Sequence, residues 1–581
     1  MKIKEIIRAI YYSSVNIKEE LFMGTLGLDV ERGLFLGIDF GTTNSVVSVY
    51  DFKEGQAQTI PIDGSNIFPT AIQFETDPDD PDKLSRIFGI QAKEAAIIYP
   101  QSTVLSVKRL LGSDEKIKIT VDDKEYEFTP EQIAGEILGY LKQKADEYAQ
   151  EELNIAGEFS GCVITVPANS TDKQKKMTKE AAKLAGFDED NIYLRLEPAA
   201  AAISYAVNER KDKKVLVYDF GGGTFDACVL DIKMTEADEP TISILSTYGD
   251  NYLGGNDIDK IIMDMIYEEF KKMTNEEIDL FDLNADDGVS KRQKTTALVR
   301  LAQVANQAKE RLSSAKSTKV VLAPFIQEPK IININMEITR EAFLNHKRVN
   351  RLGDPDELFE KMEGKSVEDL INRTIECIDE CLKSASLKSE DIDEIFLVGG
   401  SSSIPRIREK IKEKFNKEPF KSRISPALSI SQGAAYYCNM IMMPTVKGPV
   451  VHEKTIHPLG LEIAGRRFME IVKSGMDIPK EGLTVEAEEL LMTNFDNVTS
   501  MAIVVYENTK PSGDEKKTCY VTEEGMKRLA GTSLRGIPPR PRGEEKVKVI
   551  FHVGQDNMLK VMAKSMSTSG VETELSVDDL Y

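Results

Sequence analysis

Apolar residues along the chain change period twice, and the changes mark out its regions. Leu34–Ile38 is an apolar run that ends in Asp39 and the polar turn Gly41-Thr42-Thr43-Asn44, after which a second run, VVSVYD, begins. The same pattern recurs 180 residues on, where VLVYDFGGGTFD runs from Val215 to Asp226 and is followed by ACVLDI. Strand, tight glycine-bearing turn and strand describe a hairpin. Two copies of it predict a two-lobed, internally duplicated α/β architecture. Between the copies, IAGEILGYLKQKADEYAQ carries apolar residues at three-four spacing and predicts a helix. GCVITVPA predicts a strand ending at Pro167, with a capped helix starting near Asp172. A long helical tract, VRLAQVANQAKERLSSA, and a third strand-loop-helix unit, EIFLVGGSSSIPRIREKIKEKF, follow the second hairpin.

From about Pro449 the helical period gives way to alternation. In KVKVIFHV, Val547, Val549, Phe551 and Val553 share one face. In TSMAIVVYEN, Met501, Ile503 and Val505 face one way and Ala502, Val504 and Tyr506 the other. Residues 456–575 therefore predict an antiparallel β-sandwich of about eight strands, after an α/β region over 34–443 and a linker over 444–455. Residues 576–581 are expected to form an acidic tail. Residues 1–33 predict an N-terminal arm, or an artefact of start assignment with the natural start at Met23, since Lys18-Glu19-Glu20 would be encoded by a purine-rich stretch like a bacterial ribosome-binding site.

Composition narrows the function. The 581-residue chain carries a formal net charge of −22, which repels phosphate backbones and argues against nucleic acid as a partner. It contains no apolar stretch of 18 residues or more, and the early apolar segment is interrupted by Arg8, so neither a membrane span nor a signal peptide is expected. Six cysteines do not make a disulfide framework, and Cys377 and Cys381 read as buried small apolar residues. Four histidines without metal-ligand spacing argue against transition-metal chemistry.

The turns carry the chemistry. Backbone N–H groups converging in a glycine turn cradle anionic oxygens, and Thr42, Thr43 and Thr224 add hydroxyl donors. Asp39, Asp219 and Asp226 would repel a phosphate directly, so their presence implies an intervening Mg²⁺ held largely through waters. No Walker-type glycine-lysine motif occurs. Facing one another, the two hairpins would clamp a nucleoside triphosphate.

GIDFGTTNS, YPQSTVLSVKRLLG, CVITVPANSTDKQKKMTKEAAKLAG, LRLEPAAAAISYA, DFGGGTFD, LGGNDID, LVGGSSSIP and SPALSISQGAA resemble, in this order, segments of the seventy-kilodalton heat-shock chaperones of the DnaK type. The resemblance covers residues 34 to about 575. It implies an actin-like ATPase followed by a peptide-binding sandwich, with ATP/ADP, Mg²⁺ and a further K⁺ as cofactors. Cofactor contacts would come from Gly41, Thr42, Thr43, Asn44, Gly221, Gly222, Gly223, Thr224, Gly254, Gly255, Lys309, Ser313, Gly399, Gly400 and Ser401. Asp39 and Asp219 would hold the metal through waters. Lys108, Glu197, Asp226 and Thr224 take the catalytic places, and Pro167 and Lys175 those of interdomain signalling. Leu461, Ala464, Met501 and Ile503 would line the peptide groove. Unfolded or extended polypeptides, a J-domain co-chaperone and a nucleotide-exchange factor are the implied partners, in a bacterial cytoplasm.

Several positions depart from that pattern. Asn306 stands where a ribose-binding glutamate is usual, and Ser403 where an arginine lies against adenine, which predicts weaker and less adenine-selective binding. Lys175 replaces an arginine partner of the proline switch, giving up a planar donor. In the linker VKGPVVHEKTIHP, His452, Glu453 and Lys454 interrupt the apolar run that Val450, Val451 and Ile456 continue, which predicts weaker docking on the ATPase. The chain ends at Tyr581 without a helical-lid sequence, so a lidless member with fast peptide release is expected. A nucleotide-gated binding module with little turnover, a sugar kinase and a filament protein of the actin superfamily are the alternatives; the last two leave residues 456–575 without a purpose.

Overall fold

The computed structural model describes residues 34–576, apart from 154–157, 169, 210, 236–239, 355, 422–424, 443–449, 456, 480, 509–518, 524, 555–557 and 569. The expected N-terminal arm and acidic tail, together with Ile456 and residues 444–449, lie outside or largely outside the described residues.

The first sheet is built from β1 (Leu34–Phe40), β2 (Asn44–Asp51), β3 (Gln56–Ile60), β4 (Phe159–Val166) and β5 (Ile192–Leu196), in the order β5-β4-β1-β2-β3. β1 and β2 pair antiparallel through the Gly41–Thr43 turn, while β4 and β5 lie parallel to β1. Helix α1 (Pro130–Glu151) leads into β4, and α2 (Asp172–Leu184) connects β4 to β5. Thr171 caps α2 by accepting from the Gln174 backbone N–H, while the Gln174 side chain accepts from the Thr171 N–H. Helix α3 (Glu197–Glu209) starts directly at the tip of β5, which fixes Glu197 in its first turn.

The second sheet repeats the hairpin. β6 (Lys213–Phe220), β7 (Phe225–Met234) and β8 (Pro240–Asp250) run antiparallel, with β9 (Glu394–Val398) parallel to β6. Helices α4 (Gly255–Thr274), α5 (Lys291–Ser314), the short α6 (Asp356–Met362) and α7 (Val367–Ser384) belong to this region, whereas α8 (Ser429–Met442) packs in the core of the first sheet. Alternate residues of β6 enter different cores. Val215 and Val217 pack with the first sheet, whereas Leu216, Tyr218 and Phe220 pack with α4, α5 and α7. That explains why VLVYDF is apolar on both faces. α8 lies so close to α3 that a Cβ on Gly433 would stand 1.8 Å from the Ala200 carbonyl oxygen, so only glycine permits the approach.

The C-terminal region is a pair of antiparallel sheets around a third core that includes Leu461, Ile503, Val549, Phe551 and Val561. One sheet is four-stranded and contains β11 (Leu459–Ile463) and β14 (Ser500–Asn508); the other is five-stranded and contains β15 (Lys546–Val553). All four residues of the KVKVIFHV face are buried.

The linker is a strand. β10 (Val450–Lys454) extends the second sheet in parallel with β8, pairing Thr241 with Val450, Ile242 with Val451 and Ser243 with His452. At its far end Glu453 and Lys454 pair antiparallel with β13 (Asp477–Ile478), whose Ile478 lies in the sandwich core; β12 (Arg467–Val472) precedes it. The charged residues at 452–454 do not prevent backbone pairing, because ladder bonds make no demand on side-chain polarity. Val451→Pro removes a backbone donor from this strand. Residues 450–454 of that variant are expected to exchange their amide hydrogens faster; unchanged exchange would show that the linker is unpaired in solution.

Candidate functional site

The two hairpin turns meet across one cleft of about 630 Å³. Gly41, Thr42, Thr43 and Asn44 line it from the first sheet, Gly221, Gly222, Gly223 and Thr224 from the second. A Cβ on Gly222 would lie 2.4 Å from Thr43 Oγ1, so the turns can approach this closely only with glycine there. Thr43 Oγ1 also donates across the cleft to Asn256 Oδ1 at 3.4 Å. Asn256 is itself held to the second turn, its N–H donating to the Gly222 carbonyl at 2.8 Å, and Gly255 N–H donates to the Gly221 carbonyl at 3.0 Å. Gly254, just before α4, donates its N–H to Asp257 Oδ2 at 2.8 Å.

The floor of the cleft is crowded with carboxylates. Asp219 and Asp226 face each other directly across the β6–β7 pair, and Asp39 occupies the matching place opposite Val46 in the first hairpin. Asp219 and Asp226 are buried, while Asp39 keeps some exposure to the cleft. Glu197 and Lys108 complete the group, with Lys108 Nζ donating to Glu197 Oε1 at 2.7 Å. Desolvation, followed by the Glu197 charge, pushes the Asp226 carboxyl up to about 8, with Lys108 opposing the shift. Asp39 moves up for the same two reasons, and Asp219 well up through desolvation, Glu197, Asp226 and Asp39. One oxygen of Asp219, Oδ2, is buried with no hydrogen-bond donor. An all-oxygen, over-charged set with an unsatisfied acceptor suits a hard divalent cation. Among the described residues no group of three or more acidic, histidine or cysteine side chains is placed to hold a metal ion directly.

At the other end, Lys309 Nζ donates to the Gly255 carbonyl at 2.9 Å and to Asp259 Oδ2 at 2.8 Å. Asn306 donates its Nδ2 to the same Asp259 oxygen at 3.1 Å, so its amide is committed to α4. Ser401 Oγ donates to the Gly221 carbonyl at 2.8 Å. Asn306, Lys309, Ser313, Gly399, Gly400 and Ser401 all line the cleft, and Pro167 lines its opposite wall. Ser403 does not; it faces a separate hollow with Arg408, Phe420 and Lys421. Lys175 is buried in α2, donating to Asp172 Oδ1 at 3.3 Å.

Two groups of site residues are silent in the sequence. Arg109 lies 3.6 Å from Asp257 and donates to the Gly223 carbonyl at 3.4 Å, tying the segment of Lys108 to the second turn. Its place directly after Lys108 in the SVKRLLG motif is the one signal that could have found it. Tyr252, Glu310 and Leu358 also line the cleft, and no motif marks them.

Most of the expected groove residues lie against the sandwich core. Leu461 and Ile503 are buried in the sandwich core and Met501 packs against it, whereas Ala464 sits in the turn after β11. Ala502 and Val504 occupy the other, more accessible face of β14. Because side chains alternate along a strand, choosing Met501 and Ile503 rather than Ala502 and Val504 selects the inward face. Exposed Leu490, Met492 and Phe495 precede β14.

Residues 35–579 match the family model described as Hsp70 protein. The chain is 35% identical over 557 residues to the chaperone protein DnaK of Thermotoga petrophila, covering 94% of this chain and 80% of that one. The DnaK of Thermosipho melanesiensis is 34% identical over 547 residues, covering 93% and 79%, and that of Thermotoga maritima 35% over 557, covering 94% and 80%. The chain belongs to the Hsp70 family. Within it, it is of the DnaK type, an ATP-hydrolysing chaperone. Among the described residues no helix is long and apolar enough to cross a membrane.

Because the fold raises the Asp226 pKa, folding binds a proton there, and stability is lost as pH rises from the ordinary carboxylate range through about 8. Metal- and nucleotide-free protein should therefore melt at lower temperature at pH 8 than at pH 5, and Asp226→Asn should flatten that dependence. Parallel melting curves of the two proteins over this range would show Asp226 to be uninvolved.

Proposed function

We propose that the cleft holds Mg²⁺·ATP between the two lobes of an actin-like ATPase, and that hydrolysis there gates the binding of extended apolar segments by the sandwich. The observation that carries the reading is the meeting of two glycine turns over Asp39 and Asp219, with Asp226 buried opposite Asp219 in the hairpin and the Lys108–Glu197 pair beside them. Backbone N–H groups of 41–43 and 221–224, with the threonine hydroxyls, hold the phosphates. Asp39 and Asp219 hold the Mg²⁺ through waters, which relieves their mutual repulsion. When bound, the ion neutralises charge on the transferred phosphoryl group.

The protein's remaining work is positioning and charge placement. Lys108 presents its ammonium to the γ-phosphate, and the Glu197 ion pair keeps it in place. Asp226 and Thr224 orient the attacking water, Asp226 by accepting one of its protons in a hydrogen bond. Lys309, Ser313, Gly399, Gly400 and Ser401 seat the nucleoside. Asn306 is oriented by its bond to Asp259 and offers a neutral amide where a carboxylate would bind ribose hydroxyls more strongly, which favours modest affinity. K⁺ would accompany Mg²⁺ as a second cation for the same excess of carboxylates.

The sandwich would take a peptide on the face of Ala502 and Val504, using backbone bonds for affinity and apolar contacts for selection. β10, shared between the two regions, supplies the coupling, with Pro167 and Lys175 on the wall that senses the nucleotide. A J-domain co-chaperone and an exchange factor are the partners, and the bacterial cytoplasm the setting.

Lys108→Ala is expected to lower steady-state ATP hydrolysis by roughly 10²–10³-fold while ADP still binds in calorimetry. Hydrolysis at the unaltered rate would remove Lys108 from the chemistry. Val504→Glu should weaken an apolar heptapeptide roughly tenfold or more by fluorescence anisotropy, whereas Ile503→Val, which keeps the inward face apolar, should leave it near the original. The reverse ranking would put the groove on the other face.

A further inference from the structure

Between the short helix Arg340–Asn345 and α7 the chain makes an excursion that carries α6 to the rim of the cleft. Its anchor is ionic and buried. Asp264, on the inward side of α4 and fully buried, faces His346 Nε2 at 2.7 Å and accepts from the Asn350 N–H at 2.8 Å. Arg348, also fully buried, pairs with Asp354 at 2.7 Å and donates through Nε to the Asn350 carbonyl at 3.0 Å. Its guanidinium stands 5.4 Å from the ring centre of Phe359 on α6. Lys260 of α4 pairs with Asp354 as well. Displacing the excursion would leave a buried charge unpaired, so it is held to α4 in one place.

That place is the nucleoside end. Lys260 directly follows Asp259, whose carboxylate holds Asn306 and Lys309. From here α6 reaches the cleft with two side chains. Lys361 Nζ stands 5.1 Å from the ring centre of Tyr252, a residue of the loop between β8 and α4 that itself lines the cleft. Leu358, half-buried, lines the cleft directly. The residues of α5 that line the cleft, namely Asn306, Lys309, Glu310 and Ser313, are polar or charged, and a heteroaromatic base needs apolar cover, which Leu358 supplies from α6 together with Ile404 after the Gly399–Ser401 turn.

We propose that Leu358 packs against the nucleoside of the bound nucleotide, and that α6, fixed by the Arg348–Asp354 anchor, makes it the residue that sets how long the nucleotide stays. This rests on reading the cleft as the nucleotide site. Leu358 is a positioning and selectivity residue; it lies apart from the Lys108 end, where the chemistry occurs.

The test uses the full chain and ribose-labelled ADP, chased with unlabelled ADP in a stopped flow. Leu358→Ala is expected to release it roughly tenfold faster, and Leu358→Met at close to the original rate, because a similar apolar volume is retained. Binding of inorganic tripolyphosphate with Mg²⁺, measured by calorimetry, should be the same in all three proteins, since it has no nucleoside to cover. Equal ADP release from Leu358→Ala and the parent overturns the role of Leu358 while leaving the cleft reading standing. Weakened tripolyphosphate binding in Leu358→Ala overturns it too, by showing a general distortion. A parent protein that binds neither ADP nor tripolyphosphate overturns the cleft reading itself.

Discussion

Electrostatic crowding at the bottom of one cleft organises this molecule. Asp39, Asp219, Asp226 and Glu197 crowd together around Lys108, whose charge opposes the upward shift of the three aspartates without cancelling it. A fold sustains such an arrangement only where something else completes it. The two hairpins that carry the aspartates belong to separate sheets, so whatever neutralises the carboxylates also draws the sheets together. In the proposed reading, nucleotide chemistry and closure of the cleft are a single electrostatic event seen from two sides.

The surrounding structure keeps that event local and stiff. β6 is buried on both faces, one in each large core, so the strand bearing Asp219 cannot tilt without disturbing both. Glu197 stands at the start of α3, and α3 is locked against α8 by the close approach at Gly433. Arg109 binds the Lys108 segment to the second turn. The acid–base groups therefore sit on well-packed elements, and only the polar turns between them are free to adapt to phosphate.

Much of this is legible in the residues. The repeated Asp-Phe-Gly hairpins, the capped helix at Asp172 and the alternating face of KVKVIFHV all depend on local period and turn chemistry, and these survive in a linear reading. What the sequence leaves open is of another kind. The strand around Met501 is apolar on both faces, so its pattern does not say which face looks inward, and Met501 and Ile503 turn out to lie on the inward one. Asn306 and Ser403 look alike as departures from the family pattern, yet one is tied to Asp259 and the other faces a different hollow. That distinction depends on which helix stands opposite, and no spacing encodes it. Leu358 gives no signal at all, because it belongs to a short helix brought to the cleft by buried ion pairs between residues far away in the chain.

The linker strand has a topological consequence. Its five residues extend the sheet of one domain at Val450–His452 and cap a strand of the other at Glu453–Lys454. A pull that separates the domains along the chain would act along the strand's own axis and load both ladders in shear, across all their bonds at once. A displacement across the strand would load each ladder at one end, where bonds break in succession like a zip. The same short peptide is then mechanically soft in one direction and firm in the other.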